Sequence, residues 1–163
     1  MLNLSGIIKE SIVDGDGIRY VIFVQGCPHH CLGCQNPSTW DFVKKQQVNE
    51  MDILHDIKDN PLCSGITLSG GEPFTQANKL IPLVKNVHSL GKNVWAYTGY
   101  TFEQLMNFNN DKTELLKNVD VLVDGKFILE QRDISLKFRG SKNQRVIDVQ
   151  KSLQENQIIL KYE

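Results

Sequence analysis

The chain has 163 residues, of which 40% are hydrophobic and 23% are charged, and its formal net charge at pH 7 is −1. This is the composition of an ordinary globular protein, and the near-zero charge gives no reason to expect nucleic acid or an anionic membrane as a partner. No apolar stretch approaches the roughly 20 residues that a membrane span needs, and the N-terminus lacks the basic and apolar regions of a signal peptide. We therefore expect a cytoplasmic protein that binds neither membranes nor nucleic acid.

Apolar, β-branched segments alternate along the chain with segments of helical periodicity. Strands are predicted, in chain order, over residues 18–24, 66–68, 94–98, 119–124 and 145–149. Helices are predicted over residues 49–59, 76–90 and 101–108, with Asn49 and Thr101 as N-terminal caps. Strands that are mostly too hydrophobic to alternate, with helices between them, indicate a parallel sheet covered by helices.

This pattern is compatible with an open doubly wound sheet and with a partial (βα) barrel, and it does not decide between them. For residues 1–163 we adopt a single α/β domain, a partial (βα) barrel with a mostly parallel sheet. In both architectures ligands bind at the C-terminal ends of the parallel strands. Unusual residues follow the first four predicted strands: the cysteine segment 26–36 and residues 69–73, 99–100 and 125–126. We therefore expect a cofactor site at this edge of the sheet.

Three of the four cysteines, Cys27, Cys31 and Cys34, lie close together in the chain. In a reducing compartment clustered cysteines are more often metal ligands or redox groups than disulfides. Gaps of three and two residues let one short loop place three thiolates around an iron–sulfur cluster, which normally takes four. One iron would then stay open to an external ligand, as the open position does in a catalytic zinc site. The spacing thus predicts a 4Fe–4S cluster with an open iron.

Two other interpretations of these cysteines remain open from spacing alone. They could form a structural zinc site with His29, His30 or the distant Cys63, although zinc sites usually show two separated ligand pairs and no second pair is present. They could also be buried free thiols, since cysteine is a common core residue. Cys63 itself is interpreted as a structural thiol, and both histidines as residues that shape the loop.

The cysteine spacing and its flanking segments resemble a known superfamily. C-x-x-x-C-x-x-C is the signature of the radical S-adenosylmethionine enzymes. Residues 14–19 (DGDGIR), 23–27 (FVQGC) and 36–40 (NPSTW) resemble the activases that install glycyl radicals. Within the first of these segments we expect Arg19 to have an architectural role near the cysteine loop.

Three later segments narrow the resemblance. Residues 95–100 (WAYTGY), 123–127 (VDGKF) and 139–144 (RGSKNQ) resemble the activating proteins of anaerobic ribonucleoside-triphosphate reductases. The resemblance implies an oxidoreductase in which a reduced donor such as flavodoxin supplies an electron to the cluster. S-adenosylmethionine is then cleaved, and the 5′-deoxyadenosyl radical removes hydrogen from a glycine of the reductase large subunit.

The segment after the second predicted strand is expected to hold the methionine part of the cofactor. Gly70 and Gly71 allow a ligand to approach the backbone closely, and Glu72 offers an acceptor for a positively charged amine. The resemblance implies that this loop binds the methionine moiety of S-adenosylmethionine. The alternative is a tight turn into a helix, with an acidic residue favoured by the helix dipole.

The ends of the next two predicted strands supply further candidate cofactor contacts. The resemblance associates Asp124 and Lys126 with the cofactor and a nearby cation, and Lys126 could pair with the cofactor carboxylate as a point charge. Thr98 could add a hydroxyl to the same pocket. The alternatives are a surface turn with a solvated ion pair and an ordinary threonine at a strand end.

The residue before the third cysteine departs from some related activases, which carry an aromatic residue there for adenine. Here this residue is Gly33, so adenine contacts would come largely from the backbone of Gly33, Cys34 and Gln35. Glycine at this position agrees with the reductase-activating family rather than the pyruvate formate-lyase type. The alternatives are an activase of a different glycyl radical enzyme and a non-enzymatic iron–sulfur or zinc-binding protein.

Overall fold

The computed structural model describes residues 1–34 and 36–162. Its strands are β1 (Leu2–Ser11), β2 (Ile18–Val24), β3 (Gln46–Val48), β4 (Cys63–Gly70), β5 (Asn93–Tyr97), β6 (Val121–Asp124), β7 (Arg145–Asp148) and β8 (Leu160–Tyr162). Its helices are α1 (Glu50–Lys58), α2 (Ala77–Ser89), α3 (Phe102–Phe108), α4 (Asp111–Lys117) and α5 (Val149–Glu155). All these strands belong to one sheet with the order β3-β1-β2-β4-β5-β6-β7-β8.

The centre of this sheet is parallel and its flanks are antiparallel. Strands β2, β4, β5 and β6 pair in parallel, whereas β1 and β3 on one side and β7 and β8 on the other pair antiparallel. The prediction of a mostly parallel sheet is therefore corrected to a mixed sheet. Strands β1 and β2 are joined by residues 12–17 alone, and a connection this short cannot make the crossover that parallel pairing requires.

The four parallel strands and their helices agree well with the predictions. Strand β2 has the predicted bounds, and β4, β5, β6 and β7 overlap the predicted segments to within a few residues. The predicted caps are confirmed. The side chain of Asn49 accepts a hydrogen bond from the backbone N–H of Met51, and Thr101 forms a capping box with Gln104. The sequence did not predict β1, β3, β8, α4 or α5.

The helices cover one face of the sheet. One core cluster combines buried residues of the central strands with residues of all five helices. A smaller cluster on β5, β6 and β7 contains Trp95, Val121, Val123 and Val146, with Phe138 and Tyr162 packed against it. None of the helices in the described residues is long and apolar enough to cross a bilayer.

Arg19 lies at the start of β2, at the end of the strand opposite to the cysteine loop. It is fully buried, and its guanidinium donates to the hydroxyl of Thr67 and to the carbonyls of Asp16 and Ile66. The same group lies 5.5 Å from the ring centroid of Trp95, and burial lowers its pKa to about 10. Arg19 is thus an architectural residue, as expected, but not beside the cysteine loop.

The segment that joins β1 to β2 is fastened from two sides. The hydroxyl of Thr67 donates to the carbonyl of Asp14 at 2.7 Å. The hydroxyl of Tyr162 lies 2.7 Å from both carboxylate oxygens of Asp16. Strand β8 therefore helps to hold the segment that precedes β2, although Tyr162 and Asp16 are 146 positions apart in the sequence.

Candidate functional site

The cysteine loop follows β2 and surrounds one pocket. Cys27 is buried, Cys31 and Cys34 are partly exposed, and all three are free thiols. All three line one pocket, whose wall also includes residues at the ends of β4, β5 and β6, among them Gly71 and Gly99. The ends of four neighbouring parallel strands therefore meet at this pocket.

Backbone hydrogen bonds close the base of the cysteine loop. Gly26 N–H donates to the carbonyl of Thr39 at 2.7 Å, and Cys27 N–H donates to that of Trp40 at 3.0 Å. Further out, Cys34 N–H donates to the carbonyl of Cys31 at 3.1 Å. Cys27 is thus fixed at the closed base, while Cys31 and Cys34 lie on the turn that forms the outer part of the loop.

The donor set fits an iron–sulfur cluster. Thiolates are the usual ligands of such clusters, and each cysteine binds a different iron. Burial raises the pKa of the Cys27 thiol, while the backbone N–H groups of His29 and His30 act in the opposite direction. The described residues contain no group of three or more His, Cys, Asp or Glu side chains arranged around a single metal ion. Cys63 lies apart, buried at the start of β4, where its sulfur contacts the carbonyl of Gly65.

The carboxylate of Glu72 is fully buried and accepts hydrogen bonds from several donors of the same chain. Its Oε1 accepts from His29 Nε2 at 2.7 Å, from the hydroxyl of Thr98 at 2.8 Å and from Gly99 N–H at 2.8 Å. Its Oε2 accepts from the same hydroxyl at 2.9 Å and from Phe74 N–H at 3.1 Å. Glu72 and Thr98, both predicted to contact the cofactor, thus contact each other.

The two glycines before Glu72 bring the β4 turn against the cysteine loop. Gly70 has a φ of +92°, and Gly71 N–H donates to the carbonyl of Val24 at 2.8 Å. A Cβ atom on Gly71 would lie 2.3 Å from the carbonyl oxygen of Gly26. No side chain fits at position 71 unless the cysteine loop moves.

Asp124 and Lys126 occupy different environments. Asp124 is buried, and its carboxylate accepts from the guanidinium of Arg145 and, at 2.8 Å, from Phe102 N–H at the start of α3. The hydrogen bonds from the guanidinium of Arg145 to Asp124 and Glu103 raise the pKa of Arg145, although burial acts in the opposite direction. Lys126 is exposed, and the residue between them, Gly125, lines the pocket of the three cysteines. The cofactor contacts of both predicted residues remain predictions.

This chain is similar to known iron–sulfur and activating proteins. Residues 13–147 match a family described as a 4Fe-4S single cluster domain. The anaerobic ribonucleoside-triphosphate reductase-activating proteins of Haemophilus influenzae and Vibrio cholerae are 41% and 43% identical over 141 residues, which is 82% of this chain and 89% of each relative. That of Enterobacteria phage T4 is 35% identical over 155 residues, or 89% of this chain and 93% of the relative.

The chain belongs to the anaerobic ribonucleoside-triphosphate reductase-activating protein family. It is accordingly a 4Fe–4S protein of this family. The solved structure of QueE from Escherichia coli is 21% identical and covers 61% of this chain and 52% of its own, with a TM-score of 0.47. A similarity at that level adds nothing to the assignment.

The segment predicted to contact adenine comprises Gly33, Cys34 and Gln35. Gly33 has a φ of +79°, and a Cβ atom there would lie 2.9 Å from Leu129 Cδ1 and 3.2 Å from Phe127 Cε2. Cys34 lines the pocket, whereas Gln35 lies outside the described residues. The close approach of Leu129 and Phe127 explains why this position takes glycine.

Three residues of the site were missed by the sequence predictions. Phe127 lines both the cysteine pocket and an adjoining cavity of about 480 Å³ that also reaches Cys34, and the sequence gives it no separate role beyond the segment 123–127. The sequence predicts that His29 shapes the cysteine loop and gives no sign that it binds Glu72. Arg145 gave no signal, because its partner Asp124 is 21 positions away in sequence.

Proposed function

We propose that this chain activates an anaerobic ribonucleoside-triphosphate reductase. It would do so by reductive cleavage of S-adenosylmethionine at a 4Fe–4S cluster, which leaves a glycyl radical on the reductase large subunit. The observation that carries the proposal is the pocket lined jointly by Cys27, Cys31, Cys34 and the ends of the parallel strands. Membership of the activating-protein family supports it independently.

The chain's own residues would bind and orient, and none needs to act as acid or base. The three cysteines would hold the cluster, which together with the bound cofactor supplies a one-electron cleavage of a carbon–sulfur bond. Correct positioning of reacting groups contributes about 7–11 kcal/mol in well-oriented systems. Rigid strand ends and the closed base of the cysteine loop suit that task.

The cofactor's methionine part would lie at the β4 turn. The carboxylate oxygens of Glu72 already accept hydrogen bonds from Thr98 and other donors. The cofactor ammonium would therefore donate to the backbone carbonyls of Gly70 and Gly71 rather than to that carboxylate. Thr98 would then act through Glu72. Adenine would rest near the backbone of residues 33–35.

Two charged residues complete the proposed cofactor site. Lys126 would pair with the cofactor carboxylate, since it is exposed and follows Gly125 in the pocket wall. Asp124 would contribute by fixing the end of β6 through Arg145. A cation near Asp124 would have to share this carboxylate with the guanidinium.

The fold-level proposal is a single domain over residues 1–163 whose sheet curves into a partial (βα) barrel. The cofactor would lie at the C-terminal ends of the parallel strands. The adjoining cavity, lined by Phe23, Ser69 and Tyr97 and open beside Cys34, would admit the glycine segment of the reductase. We further propose a cytoplasmic protein that takes its electron from a donor such as reduced flavodoxin and binds neither nucleic acid nor membrane.

The test is an oxygen-free assay of the reconstituted protein with the reductase large subunit, S-adenosylmethionine and reduced flavodoxin. Electron paramagnetic resonance should show a glycyl radical on the reductase and 5′-deoxyadenosine should accumulate. Pyruvate formate-lyase serves as the control substrate and should give no radical. A protein that carries zinc, or a cluster that does not respond to S-adenosylmethionine, would refute the proposal.

A further inference from the structure

The side chain of His29 joins the cysteine loop to the β4 turn. We propose that His29 is a positioning residue that fixes the cysteine loop relative to Gly70 and Gly71 by holding Glu72. This inference rests on the proposed function, because it concerns the relation between the cluster and the methionine site. It assigns to His29 a role distinct from that of a metal ligand.

The ring of His29 is enclosed by neighbouring residues. Its side chain is only 7% exposed. It meets the ring of Tyr100 edge-to-face, with centroids 4.6 Å apart, and a Cβ atom on Gly99 would lie 2.4 Å from its Cδ2. The ring therefore lies directly over the backbone at the end of β5, where only glycine leaves room for it.

The partner of His29 is anchored to three segments at once. Besides His29, the carboxylate of Glu72 binds the hydroxyl of Thr98 and the backbone N–H groups of Gly99 and Phe74. An ionised carboxylate can only accept, so His29 Nε2 is the donor. A buried carboxylate needs such donors, because burying an under-satisfied charge is costly. Loss of His29 would leave Glu72 without the donor from the cysteine loop.

A backbone contact and the side-chain contact tie Glu72 to the same loop. Glu72 N–H donates to the carbonyl of Gly26 at 2.8 Å, next to Cys27, while its carboxylate reaches His29 on the other side of that cysteine. A second backbone bond, from Gly71 N–H to the carbonyl of Val24, also holds the turn at the base of the loop. The contact with His29 adds an attachment further along the loop, beyond Cys27. The turn that contains Gly71 is thereby held at a fixed orientation to the cysteines.

His30 provides the matched comparison on the same loop. Its ring stacks on Trp40, with centroids 4.7 Å apart and planes at 8°, and it makes no contact with Glu72 among the hydrogen bonds of the described residues. His29→Ala and His30→Ala thus each remove from the cysteine loop one imidazole that contacts an aromatic ring, although His30 is exposed. Only the first removes a contact with the β4 turn.

The first experiment uses hydrogen exchange on the cofactor-free chain and does not depend on catalysis. In His29→Ala the amides of Gly99 and Phe74, which both donate to Glu72, should exchange about tenfold faster, as expected for the loss of a hydrogen bond to a charged group. In His30→Ala they should exchange as in the unmodified protein. His29→Gln, whose amide can still donate, should restore protection. Unchanged exchange in His29→Ala would overturn the proposal.

The second experiment measures the reconstituted protein. Iron and sulfide content should be the same in His29→Ala, His29→Gln and the unmodified protein, since the three cysteines remain. S-adenosylmethionine should bind His29→Ala about tenfold more weakly, and the change it causes in the electron paramagnetic resonance spectrum of the reduced cluster should shrink. His29→Gln should recover both properties.

The outcomes separate this inference from the proposed function. If the unmodified protein binds the cluster and the cofactor but His29→Ala matches it in affinity and spectrum, the positioning role is wrong and the function stands. Cluster loss in His29→Ala alone would make His29 a ligand or a folding determinant and would also overturn the proposal. If the unmodified protein binds no cluster, the proposed function fails, and the exchange experiment still decides whether His29 holds Glu72.

Discussion

Asp124 and Arg145 face each other across the antiparallel pair of β6 and β7, and the guanidinium donates to both carboxylate oxygens of Asp124. The same guanidinium reaches Glu103 on α3 at 2.6 Å. One arginine therefore joins the end of β6, the start of α3 and β7. The wall of the pocket at Gly125 depends on this junction.

Replacing Arg145 by methionine should destabilise the fold by about 2 kcal/mol, because it leaves the buried carboxylate of Asp124 without its counter-charge. This value is lower than for a fully buried pair, because Arg145 itself is partly exposed. Chemical denaturation would measure the change. The control is Lys126→Met, which removes an exposed lysine and should leave the free energy of unfolding nearly unchanged. Equal stability of the two variants would contradict the importance of the pair.

Cys31→Ala should abolish formation of 5′-deoxyadenosine under dithionite, because the cluster would lose one of three protein ligands. Cys27→Ala and Cys34→Ala should behave in the same way. The matched control is Cys63→Ala, which removes a buried thiol at the opposite end of β4 and should keep most activity. Cleavage by the Cys31→Ala protein would disprove the ligand assignment.

Gly71→Val should weaken binding of S-adenosylmethionine about tenfold or more, since overpacking at a rigid site typically costs about 1–3 kcal/mol. The added Cβ would meet the carbonyl oxygen of Gly26, so the β4 turn and the cysteine loop must separate. The cluster should still assemble, as iron analysis would show. Gly6→Val is the control, because no atom lies within 4 Å of its added Cβ. Normal affinity in Gly71→Val would place the methionine site elsewhere.

Tyr162→Phe should lower the free energy of unfolding by about 1 kcal/mol at neutral pH, because it removes a hydrogen bond to the charged Asp16. The value is small because this hydrogen bond is partly exposed to solvent. That bond raises the pKa of Tyr162 to about 12. A raised folded-state pKa means that the stabilisation is complete below pH 10 and disappears as pH rises through 12. Denaturation of both proteins at pH 8 and above pH 12 would check this, and a difference that persists at the higher pH would contradict it.

The sequence contained strong local signals for the central strands and the cysteine loop. β2 could be predicted to its last residue because residues 18–24 are all β-branched or aromatic apart from Arg19, and the cysteine loop could be predicted because its cysteine spacing is specific. β1 could not be predicted, because its sequence has no sustained apolar run or apolar–polar alternation and includes Gly6, Lys9 and Glu10. Its strand conformation depends on pairing with β2 and β3, which no local pattern shows.

The helix α4 was missed for a similar reason. It starts within a few residues of the end of α3, because Asn109 turns the chain in the left-handed region with a φ of +52° and Asn110 caps the next helix. Two asparagines in succession resemble a loop in sequence. Only the packing of Leu115 and Leu116 into the core reveals the helix.

Within the site, the sequence indicated candidate residues but not the contacts that these residues make with one another. The sequence predicts Glu72 as an acceptor for the cofactor amine, which remains a prediction, and it does not show the contacts of Glu72 within the chain. Its donors come from 43 positions earlier at His29 and 26 positions later at Thr98. Contacts across such separations follow from the sheet order, which places β4 between β2 and β5, and not from any motif.

On one side the sheet ends in β8, a strand of only three residues, whereas on the other side β3 pairs only with residues 2–4 of β1, so that residues 5–11 of β1 form an open border among the described residues. A long open border can recruit a strand from a second molecule, which leads to fibres or tangled assemblies, and very short borders limit this hazard. We therefore expect any strand-by-strand self-association of the concentrated protein to involve β1 rather than β8.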